Sequence, residues 1–146
     1  MRRVYRVCRS LHAPLDGAGA MRVGGRWNSP GKRVVYMAES LSLAVLENLV
    51  HMNKVDFPVG YVSVSAIIPD HVRVLTEREL RASSSVSLPR DFGDRWIESL
   101  ATAVLEVRSV VVPLECNYLL NPGHPEFAGI VVEPGVPFVF DERLFK

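Results

Sequence analysis

Short apolar stretches rich in β-branched residues recur along the chain, and they predict the strands of the fold. The longest covers residues 61–68, alternates partly between apolar and small polar positions, and stops before Pro69. Shorter stretches of the same character predict further strands over residues 4–7, 34–37, 72–75, 109–112, 130–133 and 138–140.

A helix is predicted over residues 41–53, with Ser40 as its N-cap. At about 100° per residue, one side of this helix carries an apolar stripe made of Leu41, Val45, Leu49 and Met52. Glu47 lies on the opposite side, where its neighbours are also mainly apolar. The helix is therefore apolar nearly all round, and its one carboxylate stands among apolar side chains.

A second helix is predicted to begin at a cap formed by Asp91 or Asp94 and to run through Leu105. Residues 9–31 and 82–93 are rich in small, polar and turn-forming residues and are predicted to be loops. Loops this long inside a small domain are usually functional. Strands and two helices without regular βαβ alternation predict an α+β fold, as a single compact mixed domain over the whole chain.

The composition is that of a folded protein without a large electrostatic binding surface. Apolar residues make up 48% of the 146 residues, and the net charge is +1, which excludes a broad basic face for nucleic acid. No apolar run reaches the ~18 residues of a membrane helix, and Arg6 and Arg9 interrupt any signal-peptide core. We therefore expect a soluble, cytoplasmic protein in which Cys8 and Cys116 are small, reduced, buried side chains.

The candidate chemistry lies in the first third of the chain, where polar and charged groups interrupt sequence that favours burial. These groups are Arg6 in an apolar strand, the segment 24–28 (Gly-Gly-Arg-Trp-Asn), Tyr36 in the next strand, and Glu47. Burying a charge is costly unless the charge is paired or used. Arginine matches phosphate oxygens with two parallel hydrogen bonds, so Arg26 and Arg6 are candidates for an anion site.

Each of these residues also has a plain structural interpretation. Glu47 can be a solvent-exposed helix residue, and Arg26 can be a surface residue on a turn. Arg6 can be an ion-pair partner or an edge-strand residue. Tyr36 can be a core side chain with a satisfied hydroxyl, or a platform for a ring.

Two further regions are weaker candidates. Ser109 opens a predicted strand but has no Gly-x-Ser-x-Gly elbow and no triad, so a nucleophilic role is disfavoured. Residues 117–127 carry Asn and His side chains that can orient a ligand or cap turns. His51 and His124 have no metal-ligand spacing, so no metal is expected.

Taken together and in order, these pieces make the chain similar to the RES-domain family, named for an arginine, a glutamate and a serine. The matching stretches are residues 4–7, 24–28, 34–40, 44–47, 109–113, 117–127 and 140–144. No single stretch is decisive, but the ordered set spans nearly the whole chain. The family usually has proline before the serine, where this chain has Arg108.

The resemblance implies an ADP-ribosyltransferase-like fold and the toxin of a bacterial toxin–antitoxin pair, with an Xre-type antitoxin as partner. It implies action on NAD as a substrate, with no separate cofactor, by hydrolysis, phosphorolysis or ADP-ribose transfer to a protein. By position, Arg26, Glu47 and Ser109 correspond to the family's catalytic residues. The resemblance also implies NAD contacts at Arg6, Arg26 and Tyr36, and we add Asn121 from the 117–127 stretch as a further candidate.

Two rivals come from other functional classes: an RNA-directed toxin and a small binding module without catalysis. The near-zero net charge argues against RNA. We expect no direct contact with nucleic acid or membrane.

Overall fold

A mixed sheet organises the chain in the computed structural model, which describes residues 1–53, 55–83 and 85–146. Its order is β4-β5-β6-β2-β1-β3-β7, with β8 also pairing with β3. Every pairing is antiparallel except that of β4 with β5. The strands are β1 (Arg2–Arg9), β2 (Val35–Ala38), β3 (Tyr61–Ile68), β4 (Val74–Thr76), β5 (Val104–Arg108), β6 (Cys116–Leu120), β7 (Val131–Val132) and β8 (Val136–Phe138).

Helices cover the sheet, which confirms the predicted α+β class. They are α1 (Ala18–Val23), α2 (Leu41–Leu49), α3 (Glu77–Ala82) and α4 (Pro89–Ser99), with 3₁₀ turns at Ser10–His12, Pro125–Gly129 and Glu142–Phe145. In the part of the chain that the structure describes, no helix is both long and apolar enough to cross a bilayer.

The core is divided among three clusters because the sheet buries both faces. Along β6, Tyr118 and Leu120 enter one cluster and Leu119 enters another, as the alternation of side chains along a strand requires. The second cluster holds Trp27 and Trp96, and the third packs the α2 residues Leu43 and Ala44 against Val7, Ala38 and Phe140.

The strongest local signals are confirmed. The strand over residues 61–68 has the predicted bounds. Ser40 caps α2, and its Oγ accepts a hydrogen bond from the backbone N–H of Leu43 at 3.1 Å. Helix α2 ends at Leu49 rather than at residue 53, and its most buried residues, Leu43 and Ala44, lie in the sector of Glu47 rather than in the predicted stripe.

The second helix was predicted wrongly at both ends. Its N-cap is Leu88, followed by Pro89 in the first turn, so neither Asp91 nor Asp94 caps it. It ends at Ser99 because Leu100 adopts a left-handed conformation with φ 54°. Val104 and Leu105, predicted to be helical, belong to β5 instead.

The predicted strand over residues 109–112 was also wrong, because β5 ends at Arg108 and a turn follows. The predicted loop over residues 9–31 contains α1, and the predicted loop over residues 82–93 contains the start of α4, while residue 84 lies outside the described part. Strand β6 lies in the stretch 117–127 that was treated as an ordered loop, and helix α3 was not predicted.

Helix α4 holds the segment 24–29 against the sheet through one of its faces. Arg90 donates to the carbonyl of Gly25 at 3.2 Å, and the Asp94 carboxylate accepts from the backbone N–H of Ser29 at 2.8 Å. Gly93 lies between them on the same face, where a Cβ would be 1.6 Å from the carbonyl oxygen of Trp27. Only glycine permits this approach.

We predict that Gly93→Ala lowers the free energy of unfolding by about 3 kcal/mol, the upper end of the usual cost of overpacking, because the clash is with backbone. Denaturant unfolding measures this change. Gly19→Ala in α1 is the matched control, since its Cβ would meet only the His12 ring at 3.5 Å. An equally small effect of both substitutions would contradict the described packing of α4.

Candidate functional site

A cavity of about 1020 Å³ opens where β1, β2, α2, β6 and the segment 24–27 meet. Small-molecule sites usually span roughly 300–1,000 Å³, so this one suits a large ligand. Four of the residues predicted from sequence line it together: Arg6, Arg26, Tyr36 and Glu47. Segments far apart in sequence therefore converge on one cavity.

Arg6 lies at the point where β1 and β2 separate. These strands share a single registered pair, Tyr5 with Ala38. Beyond that pair, Nη1 of Arg6 donates to the carbonyl of Tyr36 at 3.2 Å. Its Nε is buried and has no hydrogen-bond partner in the described part of the chain. Arg6 is not an edge-strand residue, because β1 has neighbouring strands on both sides. Among the described residues it also has no ion-pair partner.

Arg26 is presented by a tight turn. The backbone N–H of Gly25 donates to the carbonyl of Asn28 at 2.9 Å and closes the turn. Trp27 is buried in the core, so the turn is anchored, and the exposed Arg26 side chain lines the cavity. Within the described residues, Arg26 has neither a hydrogen bond nor an ion pair, which leaves its guanidinium available to a ligand.

The side chain of Asn28, fully buried, ties this turn to its surroundings. Its Nδ2 donates to the carbonyls of Ala20 at 2.9 Å and Lys32 at 3.0 Å. Its Oδ1 accepts from the Tyr36 hydroxyl at 2.7 Å. One amide thus joins α1, the turn that carries Arg26, and β2.

The Tyr36 hydroxyl also accepts from the backbone N–H of Trp27 at 3.1 Å, so it holds the turn at two points. Burial raises the pKa of Tyr36 to about 12, so the phenol stays protonated at neutral pH and keeps donating to Asn28. A Cβ at Gly25 would lie 2.7 Å from this hydroxyl, which explains the glycine. Tyr36 is therefore a satisfied core tyrosine that also presents its side chain to the cavity.

Glu47 is half-buried rather than a fully exposed helix residue. It lines the cavity from α2, beside Ala44 and His51, and one of its carboxylate oxygens accepts a hydrogen bond from Nδ2 of Asn117 on β6. The carboxylate is thereby held in place at the cavity wall.

Ser109 is buried in the turn after β5 and is not among the residues that line the cavity. Its Oγ accepts from the backbone N–H groups of Val111 at 3.1 Å and Val112 at 3.0 Å. Its own backbone N–H donates to the backbone carbonyl of Glu115 at 2.9 Å. This hydroxyl shapes a turn whose residues Val110 and Val111 do line the cavity. The geometry favours a positioning role over direct contact with a ligand.

Arg108, which stands where the family usually has proline, braces the same turn. Its backbone N–H donates to Glu77 at 3.2 Å, a bond that proline cannot make, and its Nη1 donates to the carbonyl of Pro113 at 2.8 Å. The exposed side chain also lines the cavity. The described lining thus contains three arginines, Arg6, Arg26 and Arg108, against the single carboxylate of Glu47, which favours an anionic ligand.

Asn121 is not brought to the cavity. It is buried, its Nδ2 donates to the backbone carbonyl of Ile97 at 3.2 Å, and its Oδ1 accepts from the backbone N–H of Gly123 at 3.0 Å. His124 caps the following 3₁₀ turn by accepting from Glu126. Among the described residues, no group of three or more His, Cys, Asp or Glu side chains is placed to hold a metal ion.

No specific role was predicted from sequence for Asn28, Asn117 or Arg108. Asn28 and Asn117 lay inside quoted motifs, but their hydrogen-bond partners are distant in sequence. Arg108 was noted only as a departure from proline. The one usable signal for Asn117 was its place at the start of an apolar run, where a polar side chain on a buried strand requires a partner.

Comparison with known proteins matches this chain to a family model described as the RES domain, over residues 3–141. The "Prs ADP-ribosylating toxin" of Sphingobium sp. is 37% identical over 142 residues, covering 90% of this chain and 87% of the relative. The "Toxin Res" of Pseudomonas putida is 38% identical over 142 residues, covering 93% and 96%.

The fold is similar to that of a chain in the crystal structure of the M. tuberculosis MbcT–MbcA toxin–antitoxin complex. The TM-score is 0.65 at 18% identity, with 99% of this chain and 86% of that chain covered.

We predict that Tyr36→Phe lowers the free energy of unfolding by about 1–3 kcal/mol, because Oδ1 of Asn28 and the N–H of Trp27 lose a buried partner while the ring remains. Thermal or denaturant unfolding measures the loss. Tyr61→Phe is the control, since no hydrogen bond of its hydroxyl is found in the described residues and its ring packs on Phe140. If both variants are as stable as the wild type, the hydroxyl does not hold the turn.

Proposed function

The chain belongs to the RES-domain family, and we propose that it is the toxin of a bacterial toxin–antitoxin pair that cleaves cytoplasmic NAD at the nicotinamide–ribose bond. The observation that carries this proposal is the convergence of two arginines with free donors and one held carboxylate on a single cavity. NAD is the substrate, and no cofactor takes part.

The arginines suit the two phosphates of NAD. Arg6 keeps one hydrogen bond to the sheet, and its buried Nε has no partner within the described residues, so an anion at this point satisfies it. Arg26 lies at the tip of an anchored turn, and its guanidinium has no partner among residues 1–53, 55–83 and 85–146. Two planar guanidiniums that line one cavity match a diphosphate better than two ammonium groups would.

Glu47 suits the reacting end of NAD. Cleavage breaks the bond between C1′ of the ribose and the ring nitrogen of nicotinamide, through a state that resembles an oxocarbenium ion. Nicotinamide leaves as a neutral molecule and takes the bonding electron pair, so no strong general acid is required. A fixed carboxylate beside the ribose stabilises the positive charge that develops there. The side chain of Tyr36 can support the nicotinamide ring from the cavity wall.

Water is the simplest acceptor for the ribosyl cation, and inorganic phosphate is the second. Water gives ADP-ribose and a proton, whereas phosphate gives the 1-phosphate ester of ADP-ribose. Arg108 adds a third positive charge to the cavity lining. A phosphate acceptor is therefore compatible with the site, and comparing turnover with and without phosphate identifies the acceptor.

A second candidate function is mono-ADP-ribosylation of a protein. The name of the Sphingobium relative favours it, since that protein is called an ADP-ribosylating toxin. The same bond breaks, and a nucleophilic protein side chain takes the place of water. Incubation with labelled NAD and cell lysate separates the two functions, because only the transferase leaves label on protein.

The partner in this proposal is a cognate antitoxin of the Xre type. A protein that consumes NAD without restraint would poison its own cell, and the structurally similar M. tuberculosis chain comes from a toxin–antitoxin complex. We propose that the antitoxin blocks access to the cavity. A stable association of this kind buries at least about 1,000 Å².

We predict that Glu47→Gln reduces nicotinamide release from NAD by about 10²-fold or more, because it keeps the shape of the side chain and removes its charge. Chromatographic detection of nicotinamide measures the rate. Glu142→Gln, at an exposed position near the C-terminus, is the matched control and should leave the rate unchanged. Near-normal turnover by a folded Glu47→Gln protein would refute the assigned role.

We predict that expression of the wild-type chain alone stops bacterial growth and that Glu47→Gln at equal abundance does not. Co-expression of a neighbouring gene that encodes an Xre-type protein should restore growth to the wild type. Growth curves with immunoblots to match abundance give the measurement. If both chains are equally harmless, the toxin proposal fails and the binding-module alternative gains support.

A further inference from the structure

We propose that Asn117 is a substrate-binding residue: its amide oxygen accepts a hydrogen bond from the nicotinamide riboside half of NAD, while its amide nitrogen holds the Glu47 carboxylate. This inference rests on the proposed NAD-cleaving function. It adds a residue to the site and assigns to it one specific contact.

The orientation of the Asn117 amide follows from its partner. An ionised carboxylate only accepts hydrogen bonds, so the atom of Asn117 that faces Glu47 is the nitrogen Nδ2. The other amide atom, Oδ1, must then point away from Glu47. The amide therefore offers a fixed acceptor immediately beside the carboxylate.

The strand places Asn117 on the cavity wall. Asn117 is registered with Ala38 of β2 on one side and with Val107 of β5 on the other. All three residues line the cavity, as does Leu119 two positions further along β6. Tyr118 points to the opposite face and into the core, as alternation along the strand requires.

Oδ1 of Asn117 is buried and has no hydrogen-bond partner among the residues that the structure describes. Only two buried side-chain polar atoms in the described residues share this state, and the other is Nε of Arg6. Buried polar atoms are nearly always hydrogen-bonded, so each such exception calls for an explanation. Both atoms belong to side chains that line the same cavity, one as a donor and the other as an acceptor. A single ligand with an anionic group and a hydrogen-bond donor satisfies both.

NAD has both features. Its phosphates suit the Arg6 donor, and the half that meets Glu47 carries donors of two kinds, the hydroxyls of the nicotinamide ribose and the N–H₂ of the carboxamide. Either donor can reach an acceptor that lies next to the carboxylate acting at C1′. In both cases a neutral N–H or O–H group donates to Oδ1 of Asn117. Substrate analogues that lack one donor show whether it comes from the carboxamide or from a ribose hydroxyl.

The test measures how strongly the enzyme discriminates against analogues that lack one donor. The first analogue is 3-acetylpyridine adenine dinucleotide, in which a methyl group replaces the amide NH₂. The others are NAD molecules without the 2′- or the 3′-hydroxyl of the nicotinamide ribose. Release of the pyridine base gives kcat/KM for NAD and for each analogue, and intrinsic reactivity cancels when the ratios of two protein variants are compared.

For wild type we expect kcat/KM for one analogue to be roughly 10-fold lower than its intrinsic reactivity explains, because Oδ1 of Asn117 is left without a donor. In Asn117→Ala this discrimination should disappear for that analogue alone and persist for the others. Asn48→Ala is the matched control: it lines the same cavity, but its Nδ2 is satisfied by the carbonyls of Val7 at 2.7 Å and Ala44 at 2.9 Å. Its discrimination ratios should equal those of wild type.

Wild-type ratios for every analogue in Asn117→Ala, with NAD still cleaved, would overturn this inference and leave the proposed function intact. Failure of wild type to cleave or bind NAD would overturn both. If Asn117→Ala does not fold, Asn117→Ser replaces it, since its shorter hydroxyl cannot span to both partners. If turnover is too slow to measure, calorimetric Kd ratios for NAD and the analogues answer the same question.

Discussion

The hydrogen bonds of the buried Asn28 side-chain amide hold the turn that carries Arg26, and the geometry of the site follows from them. The amide fixes the carbonyls of α1 and of the segment 29–32 through its nitrogen and the Tyr36 hydroxyl through its oxygen. Helix α4 packs against the segment 24–29 through Arg90, Gly93 and Asp94. Because the turn is fixed on both sides, Arg26 at its tip lines the cavity, and no described residue pairs with its guanidinium. Preorganisation of this kind keeps a charged group available at low cost on binding.

The cavity exists because β1 and β2 hardly pair. A fully registered ladder would close the gap beside Arg6 and satisfy the backbone groups that border it. Here one registered pair is followed by a single side-chain bond from Arg6 to β2, and the strands separate. Helix α2 and strand β6 then supply Glu47 and Asn117 to the wall. The described lining of the cavity thus combines three arginines with one carboxylate that is held by a hydrogen bond.

Local rules predicted what is local. The Ser40 cap and the strand over residues 61–68 depend on neighbouring residues, and both were found where expected. The grouping of Arg6, Arg26, Tyr36 and Glu47 in one cavity followed from their unusual sequence setting and from the family resemblance. The predictions that failed depend on contacts beyond the local sequence. The β-branched run after Ser109 forms a turn rather than a strand, because the backbone N–H of Val111 donates to Oγ of Ser109 and the carbonyl of Val112 accepts from the N–H of Glu115. Likewise, the roles of Asn28 and Asn117 depend on partners 8 and 70 residues away, which no short-range pattern reveals.

The most direct test of the account is a crystal structure of the Glu47→Gln protein with NAD, in which slowed cleavage preserves the intact dinucleotide. We predict NAD in the cavity, with its phosphates hydrogen-bonded to Arg6 and Arg26 and with C1′ of the nicotinamide ribose facing residue 47. An empty cavity at saturating NAD, or NAD bound with its nicotinamide riboside away from residue 47, would contradict it.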